Sequence, residues 1–227
     1  MKIALIVAGG SGSRMQSDYP KQFLLLGGKP ILMHTIECFI KYSNSVKIIV
    51  VLPDVWKEEW LKLVKKHNFQ VSHEIVSGGL TRTESVQNGL EHVESEDLVA
   101  IHDGVRPFAS VNVITEAFRN AEKFGNAVVA VKLKESIRQI KKGGGSTSVS
   151  RDEYRLIQTP QVFKGSIIKK AYGSVSGAKE EFTDDASLAE FTGQEIHLVE
   201  GRYENIKITT PEDLILAESI LKSRMGQ

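Results

Sequence analysis

One cysteine, Cys38, is all the thiol this chain of 227 residues carries, so no disulfide can brace it internally. Its place in an apolar helical pattern reads as core packing rather than as a nucleophile. An excess of one charge is missing too: 29 Lys and Arg face 28 Asp and Glu, a net of +1. That balance removes any whole-protein attraction to nucleic acid or to an anionic membrane and leaves anion binding to local sites. The N-terminal apolar run from Ile3 to Ala8 is too short for a signal or membrane segment. These absences predict a cytoplasmic protein with neither membrane nor nucleic acid as partner. Internal repeats, a clear linker, a Ser-His-Asp set, paired carboxylates and metal-ligand spacing are all lacking as well. Such a length buries roughly 70% of the unfolded surface without staples, so a single domain over residues 1–227 is expected.

What is there is alternation. Apolar runs of strand length cover Lys2 to Val7, Val46 to Leu52, Gln70 to Val76, Leu98 to His102, Ala127 to Val131 and Glu195 to Val199. Helical patterns fall between them, over Ile31 to Lys41, Asp54 to His67, Thr83 to Val93, Val111 to Phe124, Gly165 to Tyr172, Thr183 to Phe191 and Thr210 to Lys222. This order predicts an α/β fold on a parallel sheet, in which ligands gather beyond the carboxyl ends of the strands. One stretch departs from it. Residues 132–151 read as two polar strands around Lys141-Lys142-Gly143-Gly144-Gly145-Ser146, with too few apolar side chains to bury a face. A projecting arm that meets another subunit explains them, and a disordered surface loop is the alternative.

The first strand leads into Ala8-Gly9-Gly10-Ser11-Gly12-Ser13-Arg14-Met15, and Pro20-Lys21-Gln22 follows. Gly9, Gly10 and Gly12 let backbone N–H groups face a common concavity, and Arg14 and Lys21 add the positive charge that a triphosphate requires. No Gly-Lys-Ser/Thr follows the glycines, which excludes a Walker loop, and Met15 stands where a dinucleotide fingerprint needs glycine or alanine. A plain tight turn remains the bland alternative, weakened by the two cations at fixed offsets. Further along, Gly78-Gly79-Leu80-Thr81-Arg82-Thr83-Glu84-Ser85 opens a helix, where a threonine could simply cap. Its glycine backbone and Ser85 could equally face a base. Asp103 and Arg106 in His102-Asp103-Gly104-Val105-Arg106-Pro107 follow a buried strand, with a helix N-cap as the ordinary reading of Asp103. Lys207, just before the last helix, reads on its own as a solvated charge.

Taken in order, these clusters with Thr159-Pro160-Gln161, Thr183-Asp184-Asp185-Ala186-Ser187 and Asn205-Ile206-Lys207-Ile208-Thr209 resemble the 2-C-methyl-D-erythritol 4-phosphate cytidylyltransferase family of the non-mevalonate isoprenoid route. The glycine loop alone marks only the wider sugar-phosphate nucleotidyltransferase class. The Asp-x-x-Arg-Pro, Thr-Pro-Gln and Asn-Ile-Lys motifs narrow it to the cytidylyl group. The resemblance implies a Rossmann-like, mostly parallel twisted sheet with helices on both faces, and a β-hairpin arm at about 132–152 that makes a homodimer.

It also implies roles. Arg14, Lys21 and Lys207 would neutralise charge around CTP, and Ala8, Gly9, Gly10, Gly12, Gly79 and Ser85 would hold the nucleotide, with Asp103 at its edge. Asp103, Arg106, Thr159 and Thr183 would shape the methylerythritol phosphate pocket, while Ser136 and Arg151 would reach a neighbouring subunit's site. Mg²⁺ would sit mainly on the CTP phosphates, without a protein cage. The attacking phosphate monoester is already anionic near neutral pH, so the missing general base is consistent with the chemistry. Glu135-Ser136 stands where the family usually has Asp-Thr, and Leu80 replaces a smaller or polar residue. The runner-up is a ribitol-5-phosphate cytidylyltransferase, and from another class a nucleotide-binding module without turnover.

Overall fold

A computed structural model of the chain describes residues 1–9, 19–174 and 182–225. Gly10, Gly12 and Arg14, three of the expected nucleotide contacts, lie outside the described residues. The strands are β1 (Lys2–Val7), β2 (Leu25–Leu26), β3 (Lys29–Pro30), β4 (Lys47–Leu52), β5 (Glu74–Ser77), β6 (Leu98–Asp103), β7 (Asn126–Lys132), β8 (Ile137–Ile140), β9 (Ser146–Val149), β10 (Arg155–Lys164) and β11 (Leu198–Glu200). The helices are α1 (Ile31–Tyr42), α2 (Lys57–Lys66), α3 (Arg82–Leu90), α4 (Val111–Phe124), α5 (Gly165–Ser174), α6 (Asp185–Phe191) and α7 (Pro211–Met225).

Period-2 alternation in the buried strands decides the layers. Ile3 and Leu5 of β1, with Ile49 and Val51 of β4, pack against α3, α5 and α6. Their neighbours Ala4, Ile6, Ile48 and Val50 face α1, α2 and α4. Both faces are therefore covered, as strands apolar on both sides require. A third cluster, with Val105, Phe108, Ile208 and Ala217, seats α7 beneath the turn after β6.

The sheet order is β11-β7-β10-β6-β1-β4-β5. All its pairings are parallel except those of β10, which runs antiparallel to both β6 and β7. The chain lays β4 and β5 on one side of β1 and returns to lay β6 on the other. That reversal opens a crevice at the carboxyl ends of β1 and β6.

Several expectations need correcting. The sequence patterns assign no element to residues 155–164, where β10 lies, and Pro160 falls inside it although proline is rarely found inside a strand. The strand tolerates it at a register shift between Ile157 and Gln161, where the Thr159–Pro160 peptide is cis. β5 starts at Glu74 rather than Gln70, since His73 turns aside to take the Trp60 indole N–H at 2.9 Å. The helical reading from Asp54 begins as a 3-10 turn, and only Lys57 onward is α-helical. Among the described residues β8 and β9 pair with each other alone, in register Ile137 to Val149, and the glycines 143–145 between them take φ of 95°, 100° and 77°.

Candidate active site

Three backbone segments meet at the carboxyl edge. Ala8 N–H donates to the Val51 carbonyl at 3.0 Å, and Gly78 N–H to that of Leu52 at 2.8 Å, so both segments leave the sheet in step. Ser85 Oγ donates to the Thr81 carbonyl at 2.9 Å and accepts the Gly79 N–H at 3.1 Å. A Cβ on Gly79 would lie only 2.2 Å from Glu84 Cβ, which holds that position to glycine, while one on Gly9 would press on Ser85 Oγ at 3.2 Å. Thr81 caps α3 by accepting the Glu84 N–H at 3.0 Å, as the bland reading proposed. Leu80 stands 99% exposed at the rim.

These segments wall a cavity of 320 Å³ that also meets Lys21, Asp103 and Lys207. Lys21 opens a 3-10 turn whose next residue, the buried Gln22, donates Nε2–H to the Ala8 carbonyl at 2.7 Å. One amide thus ties the lysine's turn to the strand end.

A second cavity, of 290 Å³, adjoins the first and is lined by Arg106, Thr159 and Thr183. Arg82, Asp103 and Lys207 border both. Asp103 is not a helix cap: Ser110 caps α4, through a 3.3 Å bond from Val113 N–H. Its Oδ2 instead accepts from Arg106 Nε at 3.0 Å and lies 3.2 Å from Lys207 Nζ. Burial alone would raise this carboxyl, but Lys207, Arg106 and Arg82 outweigh it and hold it well below the usual carboxylate range. Arg106 Nη1 in turn donates to the Asn205 carbonyl at 2.8 Å, anchoring the segment that carries Lys207.

His102 sits fully buried behind this cluster, and burial pushes its imidazole down to about 4. Neutral, it has one N–H, and the partners fix where. Nε2 lies 3.1 Å from the Arg106 carbonyl, which can only accept, so the proton is there. Nδ1 must then accept the Thr159 hydroxyl proton at 2.9 Å, while Thr159 Oγ1 accepts the Asp103 N–H at 3.1 Å. The Thr159 hydroxyl is thereby committed to the scaffold, and what Thr159 offers the cavity is its shape. A metal reading of His102 finds no support, since the ring is closed off on both nitrogens.

Ser136 and Arg151 lie on the exposed arm and line neither cavity. Arg151 Nη1 donates to the Lys134 carbonyl at 2.6 Å. A larger groove, of 900 Å³, lies at the opposite, amino edge of β4 and β5 beside Lys47 and Glu74 and holds none of the expected residues. Sequence reasoning passed over Gln22, His102, Asn205 and Asp185 as scaffold of the site. The motifs contained all four, but nothing in a linear pattern says that a polar side chain is buried. No described helix is long and apolar enough to cross a membrane.

The family model described as 2-C-methyl-D-erythritol 4-phosphate cytidylyltransferase matches residues 2–223. Among curated proteins, the enzyme of that name from Bacteroides thetaiotaomicron is 48% identical over 217 residues, covering 96% of this chain and 98% of that protein. The one from Porphyromonas gingivalis is 44% identical over 223 residues, with 98% of each covered. Among solved structures, 4-diphosphocytidyl-2C-methyl-D-erythritol synthase from Anaerococcus prevotii superposes with a TM-score of 0.85 at 31% identity, over 97% of this chain and 95% of that one. The Thermus thermophilus 2-C-methyl-D-erythritol 4-phosphate cytidylyltransferase gives 0.80 at 28% identity, over 98% of this chain and all of that one.

Proposed function

Because this chain belongs to the 2-C-methyl-D-erythritol 4-phosphate cytidylyltransferase family, we propose that it carries out the family's reaction across the two adjoining cavities. CTP occupies the 320 Å³ cavity and the alcohol phosphate the 290 Å³ one. A phosphate oxygen of methylerythritol phosphate attacks the α-phosphorus of CTP in line, the bond to the β-phosphate breaks, and pyrophosphate leaves. The product is 4-diphosphocytidyl-2-C-methyl-D-erythritol. The observation that carries this reading is the bordering of both cavities by Asp103 and Lys207, because two substrates that react with each other need a common wall.

The roles follow from placement. Lys21 and Arg14 neutralise the triphosphate, and Lys207 holds the α-phosphate where the cavities meet. Ala8, Gly9, Gly79 and Ser85 form the close-fitting wall against the base and ribose, with Gly10 and Gly12 continuing the loop. Asp103 keeps Lys207 and Arg106 in place and offers its second oxygen to a substrate hydroxyl, while Thr159 and Thr183 shape the pocket. No base is required, and positioning with charge neutralisation supplies the rate.

Magnesium fits this site as a companion of the triphosphate. Asp103, the carboxylate bordering both cavities, is already engaged by Lys207 and Arg106, so phosphate oxygens are the main donors. Bound there, the ion would screen the phosphate charge. We further propose that the enzyme works in the cytoplasm as a homodimer in which the arm carries Ser136 and Arg151 into the partner's second cavity. In support, β8 and β9 of the arm pair with no other strand among the described residues, and Tyr154, Leu156 and Ile157 at its base are 43%, 54% and 41% exposed.

Pyrophosphate release from CTP tests the reading. Turnover with methylerythritol phosphate and none with ribitol 5-phosphate supports it; the reverse preference would establish the alditol reading, and no release with either would leave a binding module.

A further inference from the structure

Arg82 occupies the first position of α3, where the helix dipole disfavours a cation. It is nonetheless fixed there from across the fold. Nη1 donates to Asp185 Oδ1 at 2.8 Å and Nη2 to Oδ2 at 2.7 Å, a fork that sets the plane of the guanidinium. Asp185, the first residue of α6, is fully buried, and its Oδ1 also accepts the Tyr172 hydroxyl of α5 at 2.6 Å. Burial opposes the guanidinium's charge, but Asp185 outweighs it and keeps Arg82 protonated. Burial, helped by Asp185, also pushes the Tyr172 phenol well above its ordinary value, so it stays a donor.

The clamp is one-sided. Two of the five guanidinium donors are spent on Asp185, and Tyr172, which shares that carboxylate, also stands against the guanidinium. The Arg82 side chain is 35% exposed, and what it faces is the seam, since it borders both cavities. An ion pair that served only to join α3 to α6 would not need the free edge of its cation turned onto two ligand pockets.

We propose that Asp185 and Tyr172 are positioning residues that clamp Arg82 in the seam, where its remaining N–H donors bind the nucleotide on one side and the alcohol phosphate on the other. This rests on the assignment of the two substrates to the two cavities. Arg82 is held before either ligand arrives, so its contacts are present in the ground state and in the transition state alike. Its contribution therefore falls on KM for both substrates rather than on kcat.

Arg82→Lys keeps a positive charge for Asp185 but loses the planar fork. It is expected to raise KM about tenfold for CTP and for methylerythritol phosphate together, with kcat within about threefold and the melting temperature near wild type. Tyr172→Phe deletes one hydroxyl from the clamp and should raise both KM values about two- to fivefold in the same proportion. Wild-type KM values in both variants, or a lowered melting temperature with unchanged KM, would overturn the proposal and leave a purely structural pair. A rise in only one KM would overturn the shared role. If Arg82→Lys fails to fold, Tyr172→Phe alone decides. CTP calorimetry on Gly79→Ala, whose Cβ would overlap Glu84 and so force the Gly79 backbone that walls the first cavity to move, separates the premise: unchanged CTP affinity there removes the cavity assignment and this inference with it. Weakened CTP binding in Gly79→Ala beside wild-type KM values in Arg82→Lys removes the inference alone.

Discussion

Replacing Thr159 by valine keeps the shape of the side chain and deletes one oxygen, and the structure says what that oxygen holds. It accepts the Asp103 N–H at 3.1 Å and donates to His102 Nδ1 at 2.9 Å. Both partners are buried, at 7% and 0% exposure, so water cannot replace it. Two orphaned groups at about 1–3 kcal/mol each sum to roughly 3 kcal/mol of lost stability. For a chain of this size that lowers the melting temperature by about 6–12 °C. Thermal unfolding followed by circular dichroism reads this directly. In a His102→Phe background the substitution should cost about 1–2 kcal/mol less, because only the Asp103 N–H is left to orphan. Turnover should fall too, since the Asp103 backbone loses its tether. A Thr159→Val protein that melts within about 1 °C of wild type and shows only a raised KM for methylerythritol phosphate would refute the reasoning. The hydroxyl would then face the ligand.

Three further outcomes are expected. Lys21→Ala should lower kcat about 100-fold, some 3 kcal/mol of transition-state stabilisation, and a kcat within about threefold with only KM raised would reassign Lys21 to ground-state binding. Because the folded His102 is held down at about 4, stability is fully present above the unfolded value near 6.5 and is lost as pH falls toward 4. The loss reaches about 3 kcal/mol, and denaturant titrations of His102→Phe that showed the same slope in that window would discount it. Mixed subunits of Arg151→Ala and Lys21→Ala should recover about a quarter of wild-type activity after exchange, since half of randomly paired dimers are mixed and each has one intact site. A mixture as inactive as its parents, with exchange confirmed by mass, would return the arm to a surface loop.

Much of this was legible in the sequence, for reasons that can be named. The strand β1 and the helix α4 were read with their observed ends, because a buried strand between polar flanks and a helix between Ser110 and Gly125 carry their own boundaries. The pocket residues Lys21, Gly79, Ser85, Asp103 and Lys207 were read through motifs and do converge on one cavity. What stayed hidden is pairing across long intervals. Nothing local to Arg82 points to Asp185, 103 residues away, or ties Arg106 to the Asn205 carbonyl, 99 residues away. The resemblance places Thr159 at the second cavity, which it does line, but a linear motif does not show the buried partners that its hydroxyl already engages.

The antiparallel strand β10 has a consequence for how the molecule is made. β6 and β7 follow each other in the chain yet never pair; the gap between them is filled only by residues 155–164. A nascent chain emerging from the ribosome can assemble β1, β4, β5 and β6 early, but it carries two open strand edges until β10 slides between them. Such edges are templates for wrong partners. The same strand brings Thr159 to Asp103, so closing the gap and completing the second cavity are one event. A chain stalled before residue 155 is thus without its second cavity and, in the same stroke, exposed to aggregation.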